Sequence, residues 1–374
     1  MQVTAAILRT MGAKPPYAES RPLEIATIRL DPPGPGEVLV RIAAAGLCHS
    51  DLSVINGDRP RPMPMALGHE AAGVVAGLGA GVRDLEIGDH VVLVFMPSCG
   101  HCIPCAEGRP ALCEPGAAAN GAGVLTGGGS RLSDDSGAIH HHLGVSAFAD
   151  HAVVARESLV KIDRDLPLAE AALFGCAVLT GVGAVVNTAR IAAGSTVAVI
   201  GLGGVGLAAV MGARAAGASR IFAIDMSPDK LALALEVGAT DIVDARDADA
   251  VERVRAATGG GVDTAFEFAG VVRALENAVA MTRRGGMTVT AGLPPPGAAL
   301  PVNVVQLVAE ERTLKGSYIG TCVPVRDIPR YIALYRDGRL PVNKLLTGRL
   351  RLEDINAGFD RLHDGSAVRQ VVEF

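Results

Sequence analysis

The chain has 374 residues, of which 49% are hydrophobic and 20% charged, with a formal net charge of −5. That length exceeds one ordinary domain and implies two or three, and the apolar content excludes a disordered chain. A sequence pI of about 6.0 excludes a globally basic nucleic-acid binder.

Met1–Ala6 lacks the basic stretch and apolar run of a secretory signal. The longest apolar runs, such as Thr196–Ile200, are strand-length, far short of the roughly 20 residues of a membrane span. A cytoplasmic protein is therefore expected. Aromatic residues make up 3% of the chain and Trp is absent, so the core must be built from Ala, Val, Leu and Ile.

In chain order, the first hundred or so residues read as short antiparallel strands, at Glu37–Ile42, Ala71–Ala76 and His90–Phe95, punctuated by Pro and Gly clusters. Glu114–Leu143 is Gly- and Ser-rich and reads as a long loop. From about Gly181 the rhythm changes. Thr196–Ile200 is a continuous apolar run, as in a strand buried on both faces, and a glycine turn and a helix over Val205–Ala216 follow it. Arg220–Asp225 reads as a strand, Pro228–Val237 as a helix, and Asp263–Phe268 and Met287–Ala291 as further strands. Strands alternating with helices imply a parallel sheet with crossover helices. Helices over Ile328–Asp337 and Ile355–His363 and a last strand, Gln370–Phe374, end the chain.

Gly201-Leu202-Gly203-Gly204-Val205-Gly206 fits the G-x-G-x-x-G pattern between that strand and that helix, and Asp225 closes the next strand. In this context the glycines allow a tight turn, close approach of backbone to a pyrophosphate and close helix–strand packing, while the helix N-terminus supplies N–H donors. Asp225 would accept hydrogen bonds from ribose hydroxyls and repel a 2′-phosphate, which favours NAD over NADP.

Seven cysteines, an odd number, argue against a disulfide framework. Cys99, Cys102, Cys105 and Cys113 are spaced to wrap one tetrahedral zinc ion with no open position, a structural site. An iron–sulfur cluster also uses four cysteines, but the last comes late for the bacterial spacing. A nucleic-acid zinc module would need a basic surround, which this chain lacks. Cys48, His69 and Cys176 carry the chemistry of a catalytic zinc site, two Cys and one His with a fourth position open. Spacing does not assemble these three, and each by itself reads equally well as a core residue.

These motifs, in this order, resemble the zinc-dependent medium-chain alcohol dehydrogenases, particularly the liver-type branch with a four-cysteine lobe, over essentially the whole chain. The resemblance implies an α/β protein. A GroES-like, mostly β catalytic domain (1–178 and 320–374, with the zinc lobe at 95–115) would flank a Rossmann doubly wound NAD-binding domain at 179–319. It makes Cys48, His69 and Cys176 the catalytic zinc ligands and the four lobe cysteines the structural site, hence two zinc ions per chain. Glu70 then lies behind the catalytic zinc and Asp51 orients the ligand histidine. Ser50 takes the alcohol proton. His49 and Arg369 correspond to basic residues on the pyrophosphate, Lys230 to a lysine near the adenosine ribose, and Thr180 to a residue packed on the nicotinamide. Gly201, Gly203, Gly204, Val205 and Gly206 form the cofactor turn.

The implied reaction is reversible oxidation of a small-molecule alcohol to an aldehyde or ketone, with zinc as Lewis acid and NAD as hydride acceptor. Relatives have a relay histidine where this chain has Ser53, so the proton path to solvent is expected to differ. Phe95, Ala118, His142, Leu143, Leu293 and Tyr318 map near the substrate pocket, with His142 facing substrate. This favours a primary alcohol, medium to large and apolar or aromatic. Arg59 replaces the acid that marks the glutathione-dependent branch. The alternatives are a zinc-free NADPH reductase on the same fold, or a redox-inactive binding protein. Zinc content separates the first from the main reading, and turnover separates the second. Liver-type relatives are usually homodimers joined through their cofactor-domain sheets, and the presence of the 114–143 segment implies a homodimer here, with no membrane or nucleic-acid partner.

Overall fold

The stretch read as a strand at 37–42 runs on to Gly46 and forms the middle of a seven-stranded sheet in the computed structural model, which describes all 374 residues. The sheet order is Leu159–Ile162, His90–Leu93, Ala71–Leu78, Glu37–Gly46, Arg369–Glu373 and Leu346–Leu350, with His151–Ala155 also paired to the central strand. The chain's last strand is antiparallel to the central one, with Val371 opposite Gly46 and Val372 opposite Ala45. That pairing carries Arg369 to the segment that follows Gly46. A second sheet closes into a small barrel of Gln2–Leu8, Leu23–Leu30, Leu132–Asp134, Gly137–His141 and Met65–Ala66, around an apolar core that includes Val3, Ile7, Ile28, Leu132 and Ile139.

Glu114–Leu143 is not the long loop its composition implied. Residues Glu114–Ala122 form a helix that starts on the Cys113 sulfur, which accepts from the Gly116 N–H, and ends at Gly123 in the left-handed region (φ 69°). Beyond it, Leu132–Asp134 and Gly137–His141 pair as a hairpin that completes the barrel. Gly123 and Gly127–Ser130 lie between the helix and the hairpin, while Gly116, Gly121, Ser133 and Gly137 fall inside the elements themselves.

The second unit is built on a six-stranded parallel sheet in the order Asp241–Asp244, Arg220–Asp225, Thr196–Ile200, Val262–Glu267, Thr282–Thr290 and Thr313–Gly316. Numbered along the chain this is 3-2-1-4-5-6, the doubly wound arrangement, with its switch point beside Thr196–Ile200. Val197, Ala198 and Val199 are fully buried, as expected of a central strand covered on both faces.

Contacts divide the chain into Met1–Cys176, Val323–Pro329 and Leu346–Phe374 on one side, and Ala177–Cys322 and Arg330–Leu345 on the other. The sequence-based boundaries grouped the whole of 320–374 with the first unit. Arg330–Leu345 falls in the second because its side chains bond there: Tyr331 Oη meets Asn187 Nδ2 at 3.2 Å and Lys344 Nζ meets Glu236 at 3.1 Å. The helix expected at Ile328–Asp337 is Pro324–Arg336, begun early because Asp327 accepts the Val323 N–H at 2.9 Å. No single helix is long and apolar enough to cross a membrane.

Candidate active site

Three elements of the first unit converge. Cys48 caps the helix His49–Ile55 in extended backbone, just after the central strand. His69 follows Gly68, whose φ of +94° turns the chain where a Cβ would stand 2.5 Å from the Phe148 nitrogen. Cys176 sits at the break between the turn Ala172–Gly175 and the helix Ala177–Gly183.

The Sγ atoms of Cys48 and Cys176 and a ring nitrogen of His69 all lie within 4.8 Å of one another, and the three residues are buried. Cys176 Sγ stands 3.6 Å from His69 Nε2. A sulfur at about 2.3 Å and a nitrogen at about 2.0–2.1 Å from one tetrahedral centre are about 3.5–3.6 Å apart, so the donors are spaced for zinc. Two thiols and an imidazole are borderline-soft donors, and the group has no fourth protein ligand, which is the pattern of a site with an open position. The Cys48 thiol is drawn well below its ordinary range by its hydrogen bond with Cys176, and the same contact with burial pushes Cys176 up.

The other nitrogen of His69 faces Asp51. His69 Nδ1 is 3.0 Å from Asp51 Oδ2, and Asp51 Oδ1 accepts the Gly68 N–H at 3.0 Å. Burial would raise the Asp51 carboxyl, but His69 and His142 overcome it and hold it at about 2. Glu70 is fully buried beneath Gly46, and burial lifts it to about 7 against the pull of Arg369. Arg369, read from the sequence as a pyrophosphate ligand, is itself 4% exposed. Its Nη1 donates to the Leu47 carbonyl at 2.9 Å and lies 3.2 Å from Glu70 Oε2. Ser50 is half-buried in the first turn of the same helix as Asp51, and His49 is exposed. Ser53 Oγ donates to the His49 carbonyl at 2.8 Å.

The four lobe cysteines form a second group with all ligand atoms within 4.8 Å. Backbone N–H groups already point at its sulfurs: Cys99 donates to Cys113 Sγ at 3.2 Å and Cys102 to Cys99 Sγ at 3.3 Å. The N–H groups of His101 and Cys102 draw the Cys99 thiol down to about 6, while burial and its neighbours push Cys105 up to about 12. Four thiolates this close repel one another, and a bound cation removes the conflict.

In the second unit the glycine turn has the form a dinucleotide needs. Gly201 has φ +88°, and a Cβ at Gly206 would stand 1.8 Å from the Gly201 carbonyl, whereas one at Gly203 would meet nothing within 4 Å. The helix Gly204–Ala215 begins there, with Val205 half-buried in its first turn. Asp225 Oδ2 accepts the Leu202 N–H at 2.7 Å and Oδ1 the Ser227 N–H at 2.9 Å, so the carboxylate braces the turn from the end of the next strand. Lys230 and Thr180 are half-buried in this unit.

Of the residues expected at a substrate pocket, Phe95 is 8% exposed and stacks edge-on against the His69 ring at 5.3 Å between centroids. Leu143 is buried and Ala118 exposed, both in the first unit, while Leu293 and Tyr318 are exposed in the second. His142 is 1% exposed, with Nδ1 3.0 Å from Asp51 Oδ1. Sequence reasoning placed His142 only near substrate and missed this link. No local signal joins two residues this far apart.

Comparison with known proteins agrees with the fold. Residues 34–164 match the alcohol dehydrogenase GroES-like domain and residues 204–337 the zinc-binding dehydrogenase domain. The chain is 39% identical to S-(hydroxymethyl)glutathione dehydrogenase of Synechocystis sp. over 362 residues, 96% of this chain and 98% of that protein. It is 38% identical to alcohol dehydrogenase class-3 of Drosophila melanogaster across the full length of both. The crystal structure of benzyl alcohol dehydrogenase from Acinetobacter calcoaceticus superimposes with a TM-score of 0.93 at 30% identity, covering 100% of this chain and 99% of that one. A GroES-like domain with a buried two-thiol, one-imidazole cluster, joined to a doubly wound sheet, defines a zinc-binding oxidoreductase. The chain belongs to the zinc-dependent medium-chain alcohol dehydrogenases, with the four-cysteine lobe of the liver-type branch.

Proposed function

We propose that the protein is an NAD-dependent dehydrogenase of primary alcohols, acting reversibly on medium to large apolar or aromatic substrates. The observation that carries this reading is the convergence of Cys48, His69 and Cys176, with the far nitrogen of His69 against Asp51. These three residues would hold the catalytic zinc, and Cys99, Cys102, Cys105 and Cys113 the structural one. When bound there, zinc would supply Lewis acidity at the alcohol oxygen, and NAD would supply the hydride acceptor. Asp51 fixes the ring orientation of His69. Ser50 takes the alcohol proton at Oγ. Ser53 Oγ is already committed to the His49 carbonyl, so it carries the proton no further. The glycine turn cradles the pyrophosphate, Asp225 receives the adenosine ribose, and His49, Lys230 and Thr180 serve the rest of the cofactor. The buried apolar Phe95 and Leu143, with Arg59 in place of an acid, favour an apolar alcohol over a glutathione adduct.

The working form in this reading is a cytoplasmic homodimer, consistent with seven cysteines that form no disulfide. Its support is the edge strand Thr313–Gly316, exposed throughout, with exposed Val304, Val305, Val308 and Leu314 on and beside it.

The test is NADH formation by purified enzyme with NAD or NADP across apolar, aromatic and secondary alcohols and S-(hydroxymethyl)glutathione, with and without a zinc chelator. Chelator-sensitive NADH formation, greatest with aromatic primary alcohols, is expected. Preference for the glutathione adduct would overturn the substrate assignment, and activity untouched by complete zinc removal would overturn the mechanism.

A further inference from the structure

Asp51 is shared. Its Oδ2 lies 3.0 Å from His69 Nδ1, and its Oδ1 lies 3.0 Å from His142 Nδ1 while also accepting the Gly68 N–H. The three side chains are at most 2% exposed, and the two rings stand nearly perpendicular with centroids 5.5 Å apart. The ring contacts are short but bent, and neither Nδ1 nor Asp51 Oδ2 has any other partner. Oδ1 already accepts the Gly68 N–H, and a carboxylate oxygen can only accept from a ring nitrogen, so the nitrogen that faces it on each ring is the one that carries hydrogen. The backbone of His142 is pinned as well. Its N–H reaches both the Ala66 carbonyl at 3.2 Å and Ser146 Oγ at 3.0 Å, and the turn that follows it holds two left-handed non-glycine residues, Leu143 and Ser146, each at φ 53°. Conformations of this kind are unfavourable by themselves and persist where surrounding contacts impose them.

We propose that His142 is a positioning residue for the catalytic zinc: by donating from Nδ1 to Asp51 Oδ1 it locks the carboxylate plane and so fixes His69, one bond network removed from the metal. The inference rests on the zinc ligands assigned above. A phenyl ring in place of His142 would fill the same space and donate nothing. Asn would place an amide N–H close to the Nδ1 position.

The experiment uses the full-length zinc-loaded enzyme, with zinc transfer to a colorimetric chelator and the cobalt(II) ligand-field spectrum as readouts. His142→Phe is expected to release the catalytic zinc about tenfold faster, at the low end of what losing an outer-shell partner costs, and to shift the cobalt bands. His142→Asn is expected to restore both to near wild type. The four-cysteine zinc serves as an internal standard and should not respond. Unchanged release and spectrum in His142→Phe, or an equal defect in His142→Asn, would overturn the proposal. Asp51, His69 and His142 also form a group with ligand atoms within 4.8 Å. An extra zinc equivalent in the wild type that disappears in His142→Phe would therefore mean a cation site, and would overturn it as well. Failure of the ligand assignment itself shows separately, as a Cys48→Ser enzyme that keeps its full zinc complement.

Discussion

Arg369 Nη1 lies 3.2 Å from Glu70 Oε2, and the two charged side chains are 4% and 0% exposed. One comes from the last strand and the other from the residue after His69, and they meet because the last strand pairs with the central strand. Removing one partner leaves the other buried without compensation, which typically costs about 3–5 kcal/mol. Arg369→Met is therefore expected to lower stability by about that amount, and Arg369→Met with Glu70→Gln to recover more than half of it. Urea unfolding of the single and double variants measures the coupling. Additive losses would show that the pair does not act as a unit.

Asp225 has two tasks in this structure, bracing the Leu202 N–H and presenting negative charge at the end of its strand. Asp225→Asn keeps an acceptor for Leu202 and removes the charge. The KM preference for NAD over NADP should then fall by about tenfold, an effect of about 1.4 kcal/mol, while thermal stability stays near wild type. Asp225→Ala loses both functions and should also weaken NAD. Equal discrimination in Asp225→Asn and wild type would remove Asp225 from cofactor choice.

Ser50 is the hydroxyl assigned to the alcohol proton. Ser50→Ala should reduce kcat by about 10²–10⁴-fold, the usual worth of a positioned proton acceptor. Ser53→His restores a titratable group to the same helix face and should change the pH dependence of kcat. A pH profile superimposable on wild type would sink the view that Ser53 limits the relay.

His141 is 1% exposed, and its Nε2 accepts the Arg131 N–H at 3.2 Å. Burial, with Arg131 and His140 nearby, lowers its pKa from 6.5 to about 3, so the folded protein holds the neutral ring. The folded-state value lies below the unfolded one. The associated stability is thus present above about pH 6.5 and is lost as the pH falls. Between about pH 7 and about pH 5 the loss from this residue should be about 2 kcal/mol. His141→Gln keeps an acceptor for Arg131 without the titration. Urea unfolding at both pH values should show a smaller loss for the variant, and equal losses would refute the assignment.

Much of this protein was legible in the residues alone. The strand Thr196–Ile200, the helix after it and the strand Arg220–Asp225 are local patterns: a doubly buried strand is a continuous apolar run, and a phosphate turn needs its glycines at fixed offsets. The four-cysteine lobe is equally local, because one short loop supplies every donor. Composition misled at 114–143, where Gly and Ser are scattered through the helix and hairpin and obscure their periodicity.

The remaining site was decided by tertiary structure. Cys48, His69 and Cys176 become one cluster only when three segments distant in the chain meet, and Arg369 reaches Glu70 only through the pairing of the last strand. The link from His69 through Asp51 to His142 has no counterpart in spacing. Short-range patterns record what the backbone does within a few residues. Which buried polar atoms must satisfy one another is settled only by long-range packing, where an unmet partner is costly.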